Sequence, residues 1–150
     1  MGTNAITSLL KRLVYVKPPC GLPDFAVNMN AVRGFITLGS QAKPALPRLQ
    51  ALMDSTNGDL ALHAMLASCG CGSNALPLLI KGLTNKFPDV RNEASNLLTG
   101  NLSLQFLKQR KEAVPFLVKL LDDPDENVRL NATSELKEID PERWQMQQKF

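Results

Sequence analysis

Apolar residues recur along this chain at three- and four-residue intervals, and they do so in blocks. Leu76, Leu79, Ile80 and Leu83 make one block; Val114, Leu117, Val118 and Leu121 make another. That spacing puts each block on one face of a helix. The blocks are introduced by near-copies of one phrase: Ala45-Leu46-Pro47-Arg48-Leu49, Ala75-Leu76-Pro77-Leu78-Leu79 and Ala113-Val114-Pro115-Phe116-Leu117. Proline is tolerated in the first turn of a helix, where its missing N–H has no intrahelical partner to lose. A small residue stands at one fixed distance after each of these prolines: Ala64 after Pro47, Ala94 after Pro77 and Ala132 after Pro115. The step from Gly34 to Ala64 equals that from Ala64 to Ala94, and the step from Ala94 to Ala132 is longer. Unrelated helices would not hold that register, so the chain reads as all-α, an internal repeat of helix pairs. The surplus in the last step falls within residues 101–112.

In each pair a first helix, A, follows a turn written Gly2-Thr3-Asn4-Ala5, Gly39-Ser40-Gln41-Ala42 or Gly72-Ser73-Asn74-Ala75. The glycine suits a left-handed helix end, and the hydroxyl residue is expected to cap the next helix. The second helix, B, opens with Pro88-Asp89-Val90-Arg91 or Glu126-Asn127-Val128-Arg129. Acidic residues there stand at the positive end of the helix. The small residue four places after Val90 or Val128 lets helix B approach its neighbour closely.

The Asp-x-x-Val-Arg-x-x-Ala run, closed by Ile139-Asp140-Pro141-Glu142, resembles the HEAT repeat. The short units are similar to the bacterial variety in proteins related to phycobilisome lyases. The resemblance extends over residues 24–142, and Ala5-Ile6-Thr7-Ser8-Leu9-Leu10 looks like a further helix A with Thr7 in place of proline. It implies an α-solenoid of about four antiparallel helix pairs, spanning residues 1–142, with a tail or cap at 143–150. It also implies a scaffold that binds other macromolecules and no particular reaction.

A chain of 150 residues with 44% hydrophobic content suits one such array better than a disordered chain. No apolar run approaches the roughly 18 residues needed to cross a bilayer. Lys11 and Arg12 interrupt the N-terminal apolar segment. A cytoplasmic protein is the expectation, and the start inside a repeat turn suggests a piece of a longer array. Net charge is +3, unevenly spread: residues 1–111 carry 12 basic and 5 acidic side chains, residues 112–150 carry 5 and 9. Apart from Lys108, Arg110 and Lys111, the basic residues are scattered, which argues against a nucleic-acid face.

Aligning the B helices on their small residue gives a core column of Asn30, Leu60, Val90 and Val128, then Gly34, Ala64, Ala94 and Ala132. The opposite face is polar in two units: Asn92, Ser95, Asn96 and Thr99, then Leu130, Thr133, Ser134 and Lys137. In the two earlier units the same positions are apolar: Val32, Phe35 and Ile36, then Leu62, Met65 and Leu66. With Arg33 and His63 beside them, these residues form the candidate partner-binding surface, on the concave face that B helices line in this fold. Two other readings stay open. The proline-rich insertion 14–24 folds over the patch, or the helical register is off by one and these residues are core.

No catalytic motif is present: no GxxxxGK[ST], GxGxxG or HExxH occurs. Cys69-Gly70-Cys71 reads as small residues at the end of a B helix, with Cys20 and the single His63 poorly placed for zinc. The acidic turn Asp122, Asp123, Asp125 and Glu126 lacks the glycine and distal glutamate of a calcium loop and reads as a helix cap. Trp144 and the tail after Pro141 suit a cap over the last pair. The leading expectation is a non-enzymatic module binding a protein or peptide, with no cofactor and no metal. The alternatives are a bilin lyase-like subunit or a nucleic-acid-binding HEAT-like protein.

Overall fold

A computed structural model describes residues 2–15, 24–99 and 113–147. Every regular element among them is helical, and the fold is all-α. The chain divides into two compact units, Met1–Ala75 and Leu76–Phe150. The surplus at 101–112 with its basic group Lys108, Arg110 and Lys111, most of the insertion 14–24 including Cys20, and residues 148–150 lie outside the described residues.

The first unit holds α1 (Gly2–Leu13), α2 (Asp24–Leu38), α3 (Leu46–Met53) and α4 (Gly58–Ser68). Two 3-10 segments, Gly39–Ala45 and Cys69–Ala75, follow the two B helices, α2 and α4. Within this unit α1 packs on α2, α3 on α4, and α2 on α4. Leu13, Phe35, Leu49, Met53 and Met65 are completely buried. The repeat phrase thus yields hairpins that are stacked B helix against B helix.

Local chemistry explains where these helices start. Pro47 falls in the first turn of α3, and Pro115 in the first turn of α7 (Val114–Leu120). Gly39 takes φ 57, the left-handed turn that ends α2. The expected hydroxyl cap does not form at α3. Its N-cap is Ala45, already helical at φ −81 and ψ −17, with no side-chain cap. The preceding 3-10 turn supplies the acceptor instead: the Leu46 N–H donates to the Lys43 carbonyl. A 3-10 turn that runs straight into a helix can offer backbone acceptors in place of a side-chain cap. Two B helices, by contrast, are capped by side chains. Asn57 Oδ1 accepts from Leu60 N at 3.1 Å, and Asp125 Oδ1 accepts from Asn127 N and Val128 N at 2.9 and 3.1 Å.

The second unit holds α5 (Leu76–Gly82), α6 (Pro88–Thr99), α7, α8 (Glu126–Ile139) and α9 (Pro141–Gln147). Here α5 packs on α6, α7 on α8, α6 on α8, and α9 on α8. The boundary expected between residues 142 and 143 falls inside α9. Lys137 Nζ lies 4.8 Å from the centre of the Trp144 ring, a cation–π contact that helps seat α9.

The turns before the B helices share one device. Ser55 Oγ accepts from Asn57 N, Asn85 Oδ1 from Phe87 N, and Asp123 Oδ1 from Asp125 N, at 3.0 to 3.1 Å. Ser55, Asn85 and Asp123 are separated by the same two steps as Ala64, Ala94 and Ala132, so each is one position of the repeat. Arg91 and Arg129 then reach back to the turn carbonyls: Arg91 to Asn85 and Lys86, Arg129 to Asp123 and Pro124. Arg91 also joins two repeats. Its Nε and Nη2 donate to the two carboxylate oxygens of Asp123, each at 2.7 Å, with both side chains buried. A bidentate fork satisfies both partners in a dry setting. Burial alone would raise the Asp123 pKa. The Arg91 hydrogen bond, the Asp125 amide and the charges of Arg91 and Arg129 outweigh it, and hold the carboxyl below its ordinary value.

Asp123→Asn leaves the Arg91 charge buried without its partner and should destabilise the protein by about 3 kcal/mol near neutral pH. Because the folded carboxyl is the stronger acid, the gap to wild type is full above about pH 4, the unfolded carboxyl value, and closes as pH falls through the folded value. Urea unfolding of both proteins along a pH series checks this; a gap that does not change with pH refutes the ion-pair account. Gly70 offers a separate test, since a Cβ there would sit 2.3 Å from the Phe35 carbonyl oxygen. At Gly34 the clash is with Leu9 Cδ2 at 2.5 Å, the end of a flexible side chain. Gly70→Ala should therefore destabilise more than Gly34→Ala, by roughly 1–3 kcal/mol against wild type in urea unfolding. Equal effects would mean that the backbone approach is not rigid.

Candidate functional site

The outward strip of the B helices is narrower than the sequence suggests. On α2, Val32 and Phe35 are buried beside Ala31, while Arg33 and Ile36 are exposed. On α4, His63 and Met65 are buried beside Ala61 and Ala64, while Leu62 and Leu66 are half-buried. Four of the eight candidate residues, Val32, Phe35, His63 and Met65, are therefore not surface groups. The physical reason is the number of neighbours. α2 packs against α1, α4 and the 3-10 segment Cys69–Ala75, so its buried stripe spreads from the small-residue column onto the adjoining one. The core column is displaced accordingly: Asn30 is exposed and Leu60 half-buried, whereas Val90 and Val128 are buried as expected.

Burial of the adjoining column recurs in α6, where the core column itself is not displaced. Ser95, expected on the polar face, is fully buried, with Oγ accepting and donating no hydrogen bond among the described residues. Ser95 occupies the repeat position of Phe35 and Met65, so that position is a core position in three consecutive B helices. The outer strip of the second unit is a carboxamide cluster. Asn131 Nδ2 on α8 donates to Asn92 Oδ1 and, at 3.0 Å, to Asn96 Oδ1 on α6. Leu130 beside it is 60% exposed and Ser134 is exposed.

The strip of the first unit is apolar with one cation. Ile36 is 47% exposed, and Arg33 precedes it on the same helix, where Thr37 Oγ1 donates to the Arg33 carbonyl at 2.9 Å. Burial pushes the His63 pKa below its ordinary value, and the Asp59 carboxylate one turn earlier opposes it in part. Cys69 and Cys71 are buried in the 3-10 segment beyond α4; Cys69 Sγ donates to the Met65 carbonyl at 3.7 Å, and burial pushes the Cys71 thiol up. No three His, Cys, Asp or Glu side chains converge as metal ligands among the described residues. The acidic turn is committed to structure: Asp123 to Arg91, Asp125 to capping α8. Sequence reasoning missed the Arg91–Asp123 joint and the Asn131 bridge. The joint had a legible trace, since Asp123 stands one repeat after Asn85 in the same turn position.

Within each unit, helical hairpins packed B helix against B helix define an all-α repeat architecture. Residues 76–144 match the family model described as HEAT repeats. No curated protein matches the chain in sequence. No helix among the described residues is long and apolar enough to cross a membrane.

The corrected register is testable by a pair of substitutions on α2. Phe35→Ala should destabilise by about 3–5 kcal/mol, the range for truncating a buried aromatic side chain. Ile36→Asp should stay within about 0.5 kcal/mol of wild type, as exposed positions do. Thermal or urea unfolding separates the two, and the opposite order would favour the register in which Phe35 faces solvent.

Proposed function

We propose that the chain is a non-enzymatic protein-interaction module, which binds a protein or peptide partner on the α2–α4 strip of the first unit. HEAT repeats generally mediate protein–protein contacts, and that general role extends to residues 76–144 through the family match. The observation that carries the finer reading is Ile36. It is a large aliphatic side chain left 47% exposed on a helix that buries Val32 and Phe35. Half-buried Leu62 and Leu66 lie on the adjoining α4. By repeat register His63 stands toward Val32 and Ile36 as Asn131 stands toward Asn92 and Asn96. Val32, Phe35, His63 and Met65 then act from beneath, fixing the strip instead of touching the partner. Arg33 favours a partner that offers a carboxylate next to its apolar anchor. The same reading takes the protein as cytoplasmic.

Ile36→Asp and Leu66→Asp, each placing a charge where an apolar anchor would dock, should remove the partners recovered by affinity capture and cross-linking. Leu130→Asp, also exposed but on the second unit, should leave them in place. Circular dichroism confirms that each variant remains folded. Retention of the same partners by folded Ile36→Asp, or their loss in Leu130→Asp alone, overturns the assignment.

A further inference from the structure

A cleft bounded by the end of α1, α2 and the start of α4 is not used by the strip. Its volume is about 140 Å3, several times the ~30 Å3 share of one water. It is lined by the apolar Leu13, Val14 and Leu60 and by Tyr15, Asn28, Asn57 and Asp59. Their hydrogen-bonding states are unequal. Asn57 Oδ1 is engaged as the cap of α4, receiving the Leu60 N–H. Asn28 Oδ1 is withdrawn from solvent and accepts no hydrogen bond among the described residues. A buried acceptor in that state is unfavourable, so the cleft favours a donor there. Asp59 adds a full negative charge on the first turn of α4. No lysine or arginine among the described residues pairs with it, and His63, one turn on, is held toward its neutral form by burial. The positive end of α4 opposes a cation with roughly half a charge, and the Asp59 carboxylate exceeds it.

We propose that this cleft binds an alkylguanidinium group, either as a free small molecule or as an arginine side chain of a peptide. A guanidinium presents planar N–H donors and no acceptor, matching a lining that offers the unsatisfied Asn28 oxygen and the Asp59 carboxylate. Its alkyl stem rests on Leu13 and Leu60, and the Tyr15 ring lining the same cleft supplies an electron-rich surface for the cation. An anion meets Asp59 and is repelled. A neutral hydrocarbon of the same size leaves the Asn28 oxygen unpaired. The site does not depend on the α2–α4 strip, so Ile36→Asp should leave it intact.

The test is a titration of the full chain followed by amide and carboxamide NMR shifts. N-ethylguanidinium and a short neutral peptide with one central arginine are the two ligands; tetramethylammonium, a cation without N–H donors, is the control. Saturable shifts at Asn28, Asp59 and Leu60 are expected with the first two and not with the third. Asp59→Asn should weaken binding tenfold or more, and Asn28→Leu should weaken it severalfold while remaining folded by circular dichroism. Peptide binding at least tenfold tighter than N-ethylguanidinium assigns the site to an arginine on a protein; equal binding assigns it to the free cation. Absence of saturation, equal shifts with tetramethylammonium, or unchanged affinity in both variants overturns the proposal.

Discussion

A single helix pair cannot hide its own apolar stripe, and that constraint governs the rest of this structure. Within each unit one B helix must lie against the other closely enough to exclude water from both. Ala64, Ala94 and Ala132 are completely buried at the contact position, and Gly70 brings a turn against the Phe35 backbone with no room for a methyl group. Close approach explains the paucity of aromatics: a large ring at the small-residue column would hold the helices apart. It also explains why burial spreads sideways. When helices sit this near to one another, the residue beside the contact column is covered too, and Phe35, Met65 and Ser95 are all drawn inside.

The joints between repeats do not all use the same chemistry. In the second unit a buried guanidinium ties one repeat's B helix to the next repeat's turn through Asp123. At the matching position of α2 stands Ala31, fully buried, so the joint within the first unit is apolar there. An apolar joint tolerates sliding, since dispersion contacts are many and undirected. The bidentate pair tolerates little, because both carboxylate oxygens and both nitrogens have assigned partners. The turn carbonyls of Asn85 and Lys86 are engaged by the same arginine. One side chain therefore sets the turn shape and the spacing of its repeat together.

What was legible in the sequence was the periodic part. The matched steps of the repeat, the proline in the first turn, the helix Gly2–Leu13, the glycine turn at Gly39 and the acidic cap at Asp125 all have local causes, and local causes leave local traces. The side-facing register of the B helices did not, because it depends on how many neighbours surround each helix. A rotation of roughly 100° per residue separates Ile36, exposed, from Phe35, buried, and both are large apolar side chains. The Ser40 cap expectation failed for a related reason. A 3-10 turn running straight into the helix supplies acceptors that no composition rule counts. The Arg91–Asp123 pair joins groups far apart in sequence and becomes visible only when the turns are aligned to each other instead of to the helices.

The narrowing of the exposed strip changes what kind of recognition the fold supports. A groove of six large apolar side chains would hold many greasy partners with little discrimination. With Phe35 and Met65 inside, the first unit offers Ile36 as its main apolar contact, with Leu62 and Leu66 half-available and Arg33 alongside. Little apolar area remains to drive association. Discrimination then rests on the geometry of a few groups held by a rigid base. The buried neighbours matter to that geometry: Met65 and Phe35 lock the rotation of α4 and α2, and so set where Ile36 and Leu66 point. In this protein the core residues of the B helices act on the partner through the surface residues they position, which is why sequence alone grouped the two sets together.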